Sequence, residues 1–355
     1  MRYLFAGGGT AGHVNPLLAT ADKLRELETD AEVLVLGTAE GLEARLVPLR
    51  GYELATIPRL PFPRRLNGAA LRFPARWWAT VRQIERLIAE RGIDAVVGFG
   101  GYAAAPAYLA ARRTKTPLVL HEANAKPGLA SRLGARLTTH VGVAFRGTPL
   151  PHAVFVGMPL RAEIEKLDRD VARPDARARF GLDERPVLLV TGGSTGARTI
   201  NRTMLAAAQQ VLDAGYQVLH IQGGAREFTD PGLPGYHLVD YVDDMDQAFA
   251  AADAVVSRAG SGMVSELTTL GLPAVYVPYP VGNGEQRFNV ADVVSSGGGI
   301  TVEDSEFTPE WVETFLVPLL ADGGRLATMA AVSASVGVKD GAERLVALIG
   351  QAARA

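Results

Sequence analysis

The chain has 355 residues, of which 48% are hydrophobic and 21% are charged, and its formal net charge is -2 at pH 7. These values are typical of a globular protein with two domains, and they give no electrostatic pull towards nucleic acid, so we expect no nucleic-acid partner. The absence of cysteine excludes disulfides, thiol catalysis and cysteine-bound metals. We expect no signal peptide and no transmembrane helix, because no apolar stretch has the required length.

Short apolar runs alternate with helical patterns along the chain. Near-continuous runs of Val, Leu, Ile and Ala are typical of parallel strands buried on both faces. Helical patterns lie between them, for example over 15–27 and 75–91. The rhythm predicts an α/β protein with two Rossmann-like, doubly wound domains. The predicted strands are 2–6, 32–36, 94–97, 117–121 and 153–156 in the first half, and 187–191, 217–221, 254–257, 273–277 and about 299–302 in the second.

The domain boundary is predicted at the segment GMPLR, residues 157–161, which follows the last strand of the first half. The domains are therefore 1–161 and 162–340. The final residues, about 341–355, have the pattern of an amphipathic helix. In folds of this kind such a helix can cross back onto the first domain.

The same glycine-rich phrase occurs twice, each time after an apolar run. It is GGGTAGH at residues 7–13 and GGSTGAR at residues 192–198. Glycines let the backbone approach a ligand closely, and the helix start that follows offers N–H groups to an anion. Either loop alone could be a tight turn without a ligand. Together they predict two nucleotide-fold domains facing one cleft.

His13 follows the last glycine of the first phrase. This places it on the first turn of a helix, at the carboxyl end of the first predicted strand, where ligands bind in open α/β sheets. A neutral imidazole there is suited to take a proton from an attacking hydroxyl, and the helix dipole would help to keep it neutral. We favour this role over that of a histidine that only caps the helix.

Two polar clusters follow predicted strands of the first half. GFGGY at 98–102 either shapes the acceptor side of the cleft or is a close-packing turn. HEAN at 121–124 contains Asn124, whose amide is suited to sugar hydroxyls. The alternative for HEAN is a capping Asn beside a solvated Glu.

Two further clusters follow strands of the second half. Glu266 is predicted in the first turn of a helix that begins near Met263. A carboxylate there can accept both hydroxyls of a ribose, or it is merely favoured by the helix dipole. In residues 282–289, Gln286 and Asn289 share a helix face. They either hold sugar hydroxyls or are ordinary surface residues.

No metal site is predicted. The six histidines are scattered and form neither an HxxxH nor an HExxH motif. We interpret Asp243 and Asp244, which follow a predicted strand, as a helix N-cap with a charged first turn.

A basic and aromatic segment spans residues 59–86 and has no acidic residue before Glu85. Such a composition suits an interfacial contact with a membrane or with an anionic lipid substrate. The alternative is a helix that buries Trp77 or Trp78 in the core and leaves its arginines in water. The members of the segment are Arg59, Pro61, Phe62, Arg64, Arg65, Arg72, Phe73, Arg76, Trp77, Trp78, Arg82, Ile84 and Arg86.

Together these phrases resemble the MurG family, the N-acetylglucosaminyltransferases of bacterial peptidoglycan synthesis. The resemblance spans nearly the whole chain, and it implies a GT-B fold. It also implies UDP-N-acetylglucosamine (UDP-GlcNAc) as donor, lipid I as acceptor and lipid II as product, with inversion at the anomeric carbon. The phrases that carry it are residues 8–13, 121–124, 157–161, 192–197, 242–245 and 265–266.

The resemblance further implies a peripheral protein at the cytoplasmic side of the cell membrane, with cell-wall and division proteins as candidate partners. No cofactor is expected to be required, although a divalent cation is compatible with the chemistry. Ala11 stands where the family commonly has glycine, which is tolerable if its φ is negative. Ala123, Met158, Met263 and Glu285 also depart from the commonest family pattern.

The candidate site residues fall into three groups, and the resemblance implies the roles of the general base and of the donor-binding residues. His13 is the candidate general base. Gly100, Gly101 and Tyr102 are candidates for the acceptor side. The donor-binding candidates are Thr10, Ala11, Gly12, Asn124, Arg161, Ser194, Val242, Ser261, Gly262, Met263, Val264, Ser265, Glu266 and Gln286.

Three other functions remain open. The chain could be a GT-B glycosyltransferase for a soluble acceptor, a nucleotide-sugar epimerase, or a catalytically silent scaffold that binds nucleotide sugars. A nicotinamide dehydrogenase is disfavoured, because neither loop is a GxGxxG followed by an acidic residue about twenty positions later.

Overall fold

A computed structural model describes residues 1–61, 63, 68–224, 227–281 and 283–354. The chain divides into two compact units, one of Met1–Arg161 with Asp340–Ala355 and the other of Ala162–Lys339. In the described residues the strands are β1 (Arg2–Ala6), β2 (Glu32–Gly37), β3 (Glu53–Thr56), β4 (Ala95–Gly98), β5 (Leu118–Glu122), β6 (His140–Val143), β7 (Ala153–Phe155), β8 (Val187–Thr191), β9 (Gln217–Ile221), β10 (Tyr236–Val239), β11 (Ala254–Ser257), β12 (Ala274–Tyr276) and β13 (Gly299–Thr301).

Helices connect these strands. They are α1 (Ala11–Leu27), α2 (Glu43–Leu49), α3 (Gly68–Arg91), α4 (Ala104–Thr114), α5 (Leu129–Gly134), α6 (Ala162–Glu165), α7 (Arg169–Phe180), α8 (Arg198–Ala206), α9 (Ala208–Asp213), α10 (Met245–Ala251), α11 (Ser261–Thr269), α12 (Glu285–Asn289), α13 (Ala291–Ser295), α14 (Pro309–Trp311), a π-helical turn (Val312–Leu316), α15 (Val317–Ala321), α16 (Gly323–Val336) and α17 (Gly341–Arg354).

The first unit is built on a parallel sheet of seven strands in the order β3-β2-β1-β4-β5-β6-β7. Side chains alternate between its two faces. Tyr3 and Phe5 pack with α1 and α17, whereas Leu4 and Ala6 pack with α3 and α4. Because both faces are covered, the central strand has a continuous apolar sequence.

The second unit is built on a parallel sheet of six strands in the order β10-β9-β8-β11-β12-β13. This is the order of the first sheet without its last strand. The central strand β8 is fully buried. The two glycine-rich phrases therefore follow equivalent central strands, β1 and β8. The prediction of two doubly wound α/β units is confirmed.

The sequence missed three strands. β3 and β10 lie at the edges of their sheets and are partly exposed, so their apolar signal is weak. β6 contains Gly142, where an added Cβ would lie 3.1 Å from Val156 Cγ2. Close packing against that side chain requires a small residue, and glycine interrupts the pattern of a strand.

Two predicted helices begin earlier in the structure than in the sequence pattern. α1 starts at Ala11 rather than at residue 15, and α3 starts at Gly68 rather than at residue 75. His13 lies in the first turn of α1, which confirms the prediction for that residue. At the other end of the chain, α17 buries Leu345 and Ile349 in the core of the first unit. Ala355 lies outside the described residues.

Helix α3 carries most of the basic and aromatic segment. Val81 and Ile84 are buried in the core of the first unit, and Trp77 packs against it. Trp78 is 45% exposed and Leu71 is 86% exposed. The helix therefore packs one face into the core and presents apolar and basic side chains on its outer face. Phe62, Arg64 and Arg65 of the predicted segment lie outside the described residues.

Candidate active site

The first glycine-rich loop joins β1 to α1. Thr10 is the N-cap residue, with extended backbone, and Ala11 and Gly12 are the first two residues of the helix. Gly9 has φ +91°, a conformation that favours glycine. Ala11 has no positive φ, so alanine is accommodated where the family commonly has glycine.

His13 is the third residue of α1 and is partly exposed. Its Nδ1 lies 3.2 Å from the carbonyl oxygen of Gly8 and 3.3 Å from Oγ1 of Thr10. A carbonyl can only accept, so a hydrogen bond to Gly8 requires the proton on Nδ1 and leaves the lone pair on Nε2.

Burial is the main cause that lowers the pKa of His13 below its ordinary value, whereas Glu122 and Glu43 act in the opposite direction. The cause predicted from the sequence was the helix dipole instead. In either case the imidazole is neutral at pH 7, the form that a general base needs.

A carboxylate that the sequence argument missed lies behind this loop. Glu43 is the first residue of α2 and is fully buried. Its Oε2 accepts from the N–H of Gly9 at 2.7 Å, and its Oε1 accepts from the N–H and hydroxyl of Thr38, each at 2.9 Å. Burial alone would raise the pKa of Glu43, but the donated N–H groups lower it on balance. In sequence it resembles any helix-start Glu.

The phrase GFGGY packs against the first loop. A Cβ on Gly100 would lie 2.9 Å from Nε2 of His13, and a Cβ on Gly101 would lie 2.3 Å from the carbonyl oxygen of Gly8. These glycines are therefore required for close packing, which was one of the two interpretations of the phrase. Tyr102 is 38% exposed, and the guanidinium of Arg59 lies 4.9 Å from its ring centroid.

At the end of β5, the alternative of a solvated Glu122 is wrong, because this residue is 5% exposed. Its carboxylate accepts from the backbone N–H of Asn124 at 2.8 Å, from the Asn124 side-chain amide at 3.3 Å, and from the N–H of Gly128 at 3.0 Å. Asn124 is thus oriented by its neighbour. His121 is buried with its Nε2 3.0 Å from the carbonyl of Gly157, and burial lowers its pKa to about 4. Arg161 lies partly buried at the end of the unit.

The second glycine-rich loop joins β8 to α8. A Cβ on Gly192 would lie 2.2 Å from the backbone nitrogen of Ala197, and one on Gly196 would lie 2.3 Å from the carbonyl oxygen of Gln222. The N–H of Gly193 donates to the hydroxyl of Thr191 at 3.2 Å. Ser194 is exposed at the tip of the loop.

A cavity of about 320 Å³ adjoins this second loop. It is lined by residues 195–199 and by the ion pair of Arg258 with Asp304. The hydroxyl of Thr199 donates to Asp304 at 2.9 Å, which ties the start of α8 to this pair. The sequence argument did not single out Arg258 or Asp304, because the two lie 46 residues apart.

Helix α11 begins at Ser261, with Gly260 as its N-cap. The prediction that it begins near Met263, with Glu266 in its first turn, is therefore wrong, since Glu266 is its sixth residue. Gly262, Met263 and Glu266 share a helix face and are partly exposed, as is Ser265. Ser261 and Val264 are buried.

The remaining candidates of the second unit are placed by local bonds. Gln286 accepts from the N–H of Tyr279 at 2.9 Å. Asn289 is 1% exposed and its amide donates to the carbonyl of Ala259, so it is not a surface residue. Val242 is partly exposed just before α10. Gly282 lies outside the described residues.

Asp244 occupies the predicted N-cap position of α10. Its side chain forms no capping bond and pairs with Arg179 instead. In the described ranges no three His, Asp or Glu side chains are grouped so as to hold a metal ion. Nor does a single helix in those ranges have the length and apolarity to cross a membrane; one bent pair, Pro309–Ala321 with Gly323–Arg354, passes that test only together.

Two family models match the chain. The glycosyltransferase family 28 N-terminal domain matches residues 3–143, and the family 28 C-terminal domain matches residues 187–345. The chain belongs to glycosyltransferase family 28. It is a glycosyltransferase whose two glycine-rich loops lie one in each family domain, and the resemblance seen in the sequence is confirmed.

Curated relatives agree over nearly the full length. The UDP-N-acetylglucosamine–N-acetylmuramyl-(pentapeptide) pyrophosphoryl-undecaprenol N-acetylglucosamine transferase of Leifsonia xyli is 67% identical over 98% of this chain and 97% of its own. The Streptomyces coelicolor protein of the same name is 48% identical over 99% and 98%.

Solved structures show the same fold. The crystal structure of Acinetobacter baumannii MurG has a TM-score of 0.80 at 26% identity and covers 99% of each chain. A UDP-GlcNAc 2-epimerase from Neisseria meningitidis has a TM-score of 0.69 at 14% identity, covering 99% of this chain and all of its own, and indicates the GT-B-like fold alone.

Proposed function

We propose that this chain transfers N-acetylglucosamine (GlcNAc) from UDP-GlcNAc to the 4-hydroxyl of the N-acetylmuramic acid (MurNAc) sugar in lipid I, with inversion, to give lipid II. Near-full-length relatives carry the name of this reaction. The observation that supports the chemistry is the distance of 3.2 Å between Nδ1 of His13 and the carbonyl oxygen of Gly8, which can only accept a hydrogen bond. Nε2 of His13 is then the proton acceptor.

In the proposed step, the 4-hydroxyl oxygen attacks the anomeric carbon of GlcNAc as the bond from that carbon to the diphosphate breaks. The hydroxyl proton goes to Nε2 of His13, and UDP leaves with the bonding electrons. A single displacement of this kind inverts the anomeric centre. The reaction requires donor and acceptor to meet at His13.

The charge behind each glycine-rich loop supports different roles for the two loops. In the first loop, the N–H of Gly9 is taken by the buried carboxylate of Glu43. In the second, the N–H groups of Gly193 and Gly196 donate to neutral oxygens. A diphosphate is repelled by the first arrangement and not by the second. We therefore assign the diphosphate to the second loop with Ser194, with Arg161 as a further partner for its growing charge.

The other proposed donor contacts are those that the resemblance to the family implies. We place the ribose hydroxyls on Glu266, whose helix face is partly exposed, and uracil on the backbone of Val242. The sugar is assigned to Gln286 and Asn124, and Thr10 to Gly12 keep a proposed place beside the donor. Gly100, Gly101 and Tyr102 keep theirs on the acceptor side.

We further propose that the outer face of α3 contacts the cytoplasmic surface of the cell membrane. Leu71 and Trp78 are exposed there, and Arg72 and Arg76 are exposed between them. Apolar side chains flanked by arginines are suited to an interface rich in anionic lipid.

The test is transfer of radiolabelled GlcNAc from UDP-GlcNAc to a short-chain lipid I analogue, with a control that lacks the acceptor. His13→Ala should lower kcat by at least about 100-fold, since general-base catalysis contributes about 10²–10⁴-fold, and should leave UDP affinity unchanged. His237→Ala, a change of the same kind in the second unit, is the matched control. We expect no required metal, so addition of EDTA should leave turnover unchanged.

Three outcomes would redirect the proposal. Label transferred only to soluble acceptors would favour a different acceptor class. Consumption of donor without any acceptor would favour an epimerase, and tight UDP binding with no transfer to any acceptor would favour a scaffold. Equal losses of turnover and UDP affinity in His13→Ala would refute the base assignment.

A further inference from the structure

A single peptide group connects Glu43 to His13. The N–H of this peptide belongs to Gly9 and donates to Oε2 of Glu43 at 2.7 Å, and its carbonyl belongs to Gly8 and lies 3.2 Å from Nδ1 of His13. The described residues contain no cis peptide bond. In a trans peptide the N–H and the C=O point in opposite directions. An acceptor that fixes the direction of the N–H therefore also fixes the direction of the C=O.

The surroundings of Glu43 show a position built for a carboxylate. An added Cβ would lie 2.3 Å from its Oε1 at Gly8, 2.5 Å from its Cγ at Gly37 and 2.1 Å from its Oε2 at Gly41. Three glycines thus make room for one fully buried side chain. A buried carboxylate is costly unless N–H and O–H groups compensate it, and here Gly9 and Thr38 supply three such bonds.

We propose that Glu43 is a positioning residue for the transfer reaction. It acts through the Gly8–Gly9 peptide to keep His13 protonated on Nδ1, with Nε2 as the base. The inference rests on the proposed function in so far as His13 is that base. A bond from the Gly9 N–H to a carboxylate polarises the peptide and makes the Gly8 carbonyl a stronger acceptor. In many sites a carboxylate binds the histidine directly and fixes its tautomer, whereas here a peptide intervenes.

The groups around His13 determine whether its pKa or its tautomer reports more directly on Glu43. Two carboxylates raise its pKa, Glu122 and Glu43, against the larger effect of burial. The uncharged groups around it are the hydroxyl of Thr10 and the backbone of Gly8 and Gly100. Because Glu122 stays in place when Glu43 is changed, the pKa of His13 loses only one of the two carboxylate contributions that raise it. The tautomer responds more directly to the Gly8 carbonyl, because Thr10 Oγ1, the other group at Nδ1, can either donate or accept and does not fix the proton.

The experiment measures the tautomer by ¹⁵N NMR of the full chain labelled at histidine, at a pH where the ring is neutral. The signals of His13 are assigned by their loss in His13→Gln. We expect the wild-type protein to show a protonated Nδ1, and Glu43→Gln to show a mixture of tautomers. Gln presents an amide N–H₂ where the carboxylate accepted, so it cannot satisfy both Gly9 and Thr38. Glu40→Gln is the matched control, since Glu40 is exposed three residues away.

Kinetics supply the second readout. Glu43→Gln should lower kcat about tenfold, by analogy with the lower end of the loss when residues that orient metal-bound histidines are changed, and leave KM for the donor unchanged. A wild-type His13 protonated on Nε2 would overturn the inference without any variant, even if Glu43→Gln failed to fold. An unchanged tautomer in a folded Glu43→Gln would also overturn it. Full turnover in His13→Ala would instead refute the base assignment on which the proposed function depends, so the two failures are distinguishable.

Discussion

Replacing Gly100 by alanine tests whether turnover depends on the position of the His13 ring. The added Cβ would lie 2.9 Å from both Cδ2 and Nε2, whereas ordinary contact begins at 3.4 Å, so the ring has to move by about 0.5 Å. Displacement of a catalytic group by 1 Å can cost about 100-fold, so half that shift predicts a loss in kcat of about tenfold. The φ of +91° at Gly100 adds a stability cost of about 1–2 kcal/mol for any L side chain.

Gly51→Ala is the matched control for this change. Gly51 lies in the same unit with φ +74°, and its added Cβ would meet nothing within 4 Å. Its free energy of unfolding, measured in urea, should fall by about 1–2 kcal/mol, as for Gly100→Ala. Its kcat should stay unchanged. The assays are kcat at saturating substrates and UDP affinity by calorimetry. If Gly100→Ala retained the kcat of Gly51→Ala, or lost UDP affinity in proportion, a positional role for His13 would be refuted.

Three further outcomes are expected. The acid limb of the kcat/KM profile should be centred below pH 6.5, because burial lowers the pKa of His13 below its ordinary value and only the neutral form accepts the proton; an acid limb centred above that pH would contradict this. Asp304→Asn should destabilise the protein by about 3 kcal/mol in urea unfolding, because it leaves the charge of Arg258 uncompensated in a pair whose side chains are 12% and 17% exposed. Charge reversal of Arg72 and Arg76 to Glu should weaken binding to anionic liposomes. The binding free energy should become less favourable by about 1 kcal/mol for each positive charge removed.

The last two experiments have controls in the second unit. Asp175→Asn changes an exposed carboxylate and should cost less than about 0.5 kcal/mol. Charge reversal at the exposed Arg325 and Lys339 should leave liposome binding unchanged. Equal effects in a variant and its control would refute the corresponding role.

The sequence was most informative where burial on both faces leaves a continuous apolar run. β1 and β8 were predicted with correct bounds for this reason. It failed at β3 and β10, which are edge strands whose side chains are partly solvated. Helix starts were missed where glycines and small residues precede the apolar period, as at Ala11 and Ser261. Periodicity needs at least one turn before it is visible, whereas hydrogen bonds begin at the cap.

Candidate site residues adjacent to a motif could be singled out from the sequence, and those distant in sequence could not. His13 was proposed because it follows a glycine-rich loop, and the structure adds its bond to Gly8. Glu43 was missed because nothing near it in sequence indicates that it is buried against a loop 34 residues away. Three glycines make that burial possible, but each one alone resembles an ordinary turn residue.

The two glycine-rich phrases are similar in pattern and follow equivalent strands, yet they differ in the charge placed behind them. A helix start with free N–H groups attracts an anion, and the first loop already holds one in Glu43. On the proposed assignment, the internal carboxylate disfavours a diphosphate at that loop and helps to position a neutral histidine. The N–H of Gly193 in the second loop donates to a threonine hydroxyl, so no carboxylate in that bond opposes the proposed diphosphate. The repeated phrase would then support two different chemical tasks, and Glu43, which distinguishes them, lies outside the repeat.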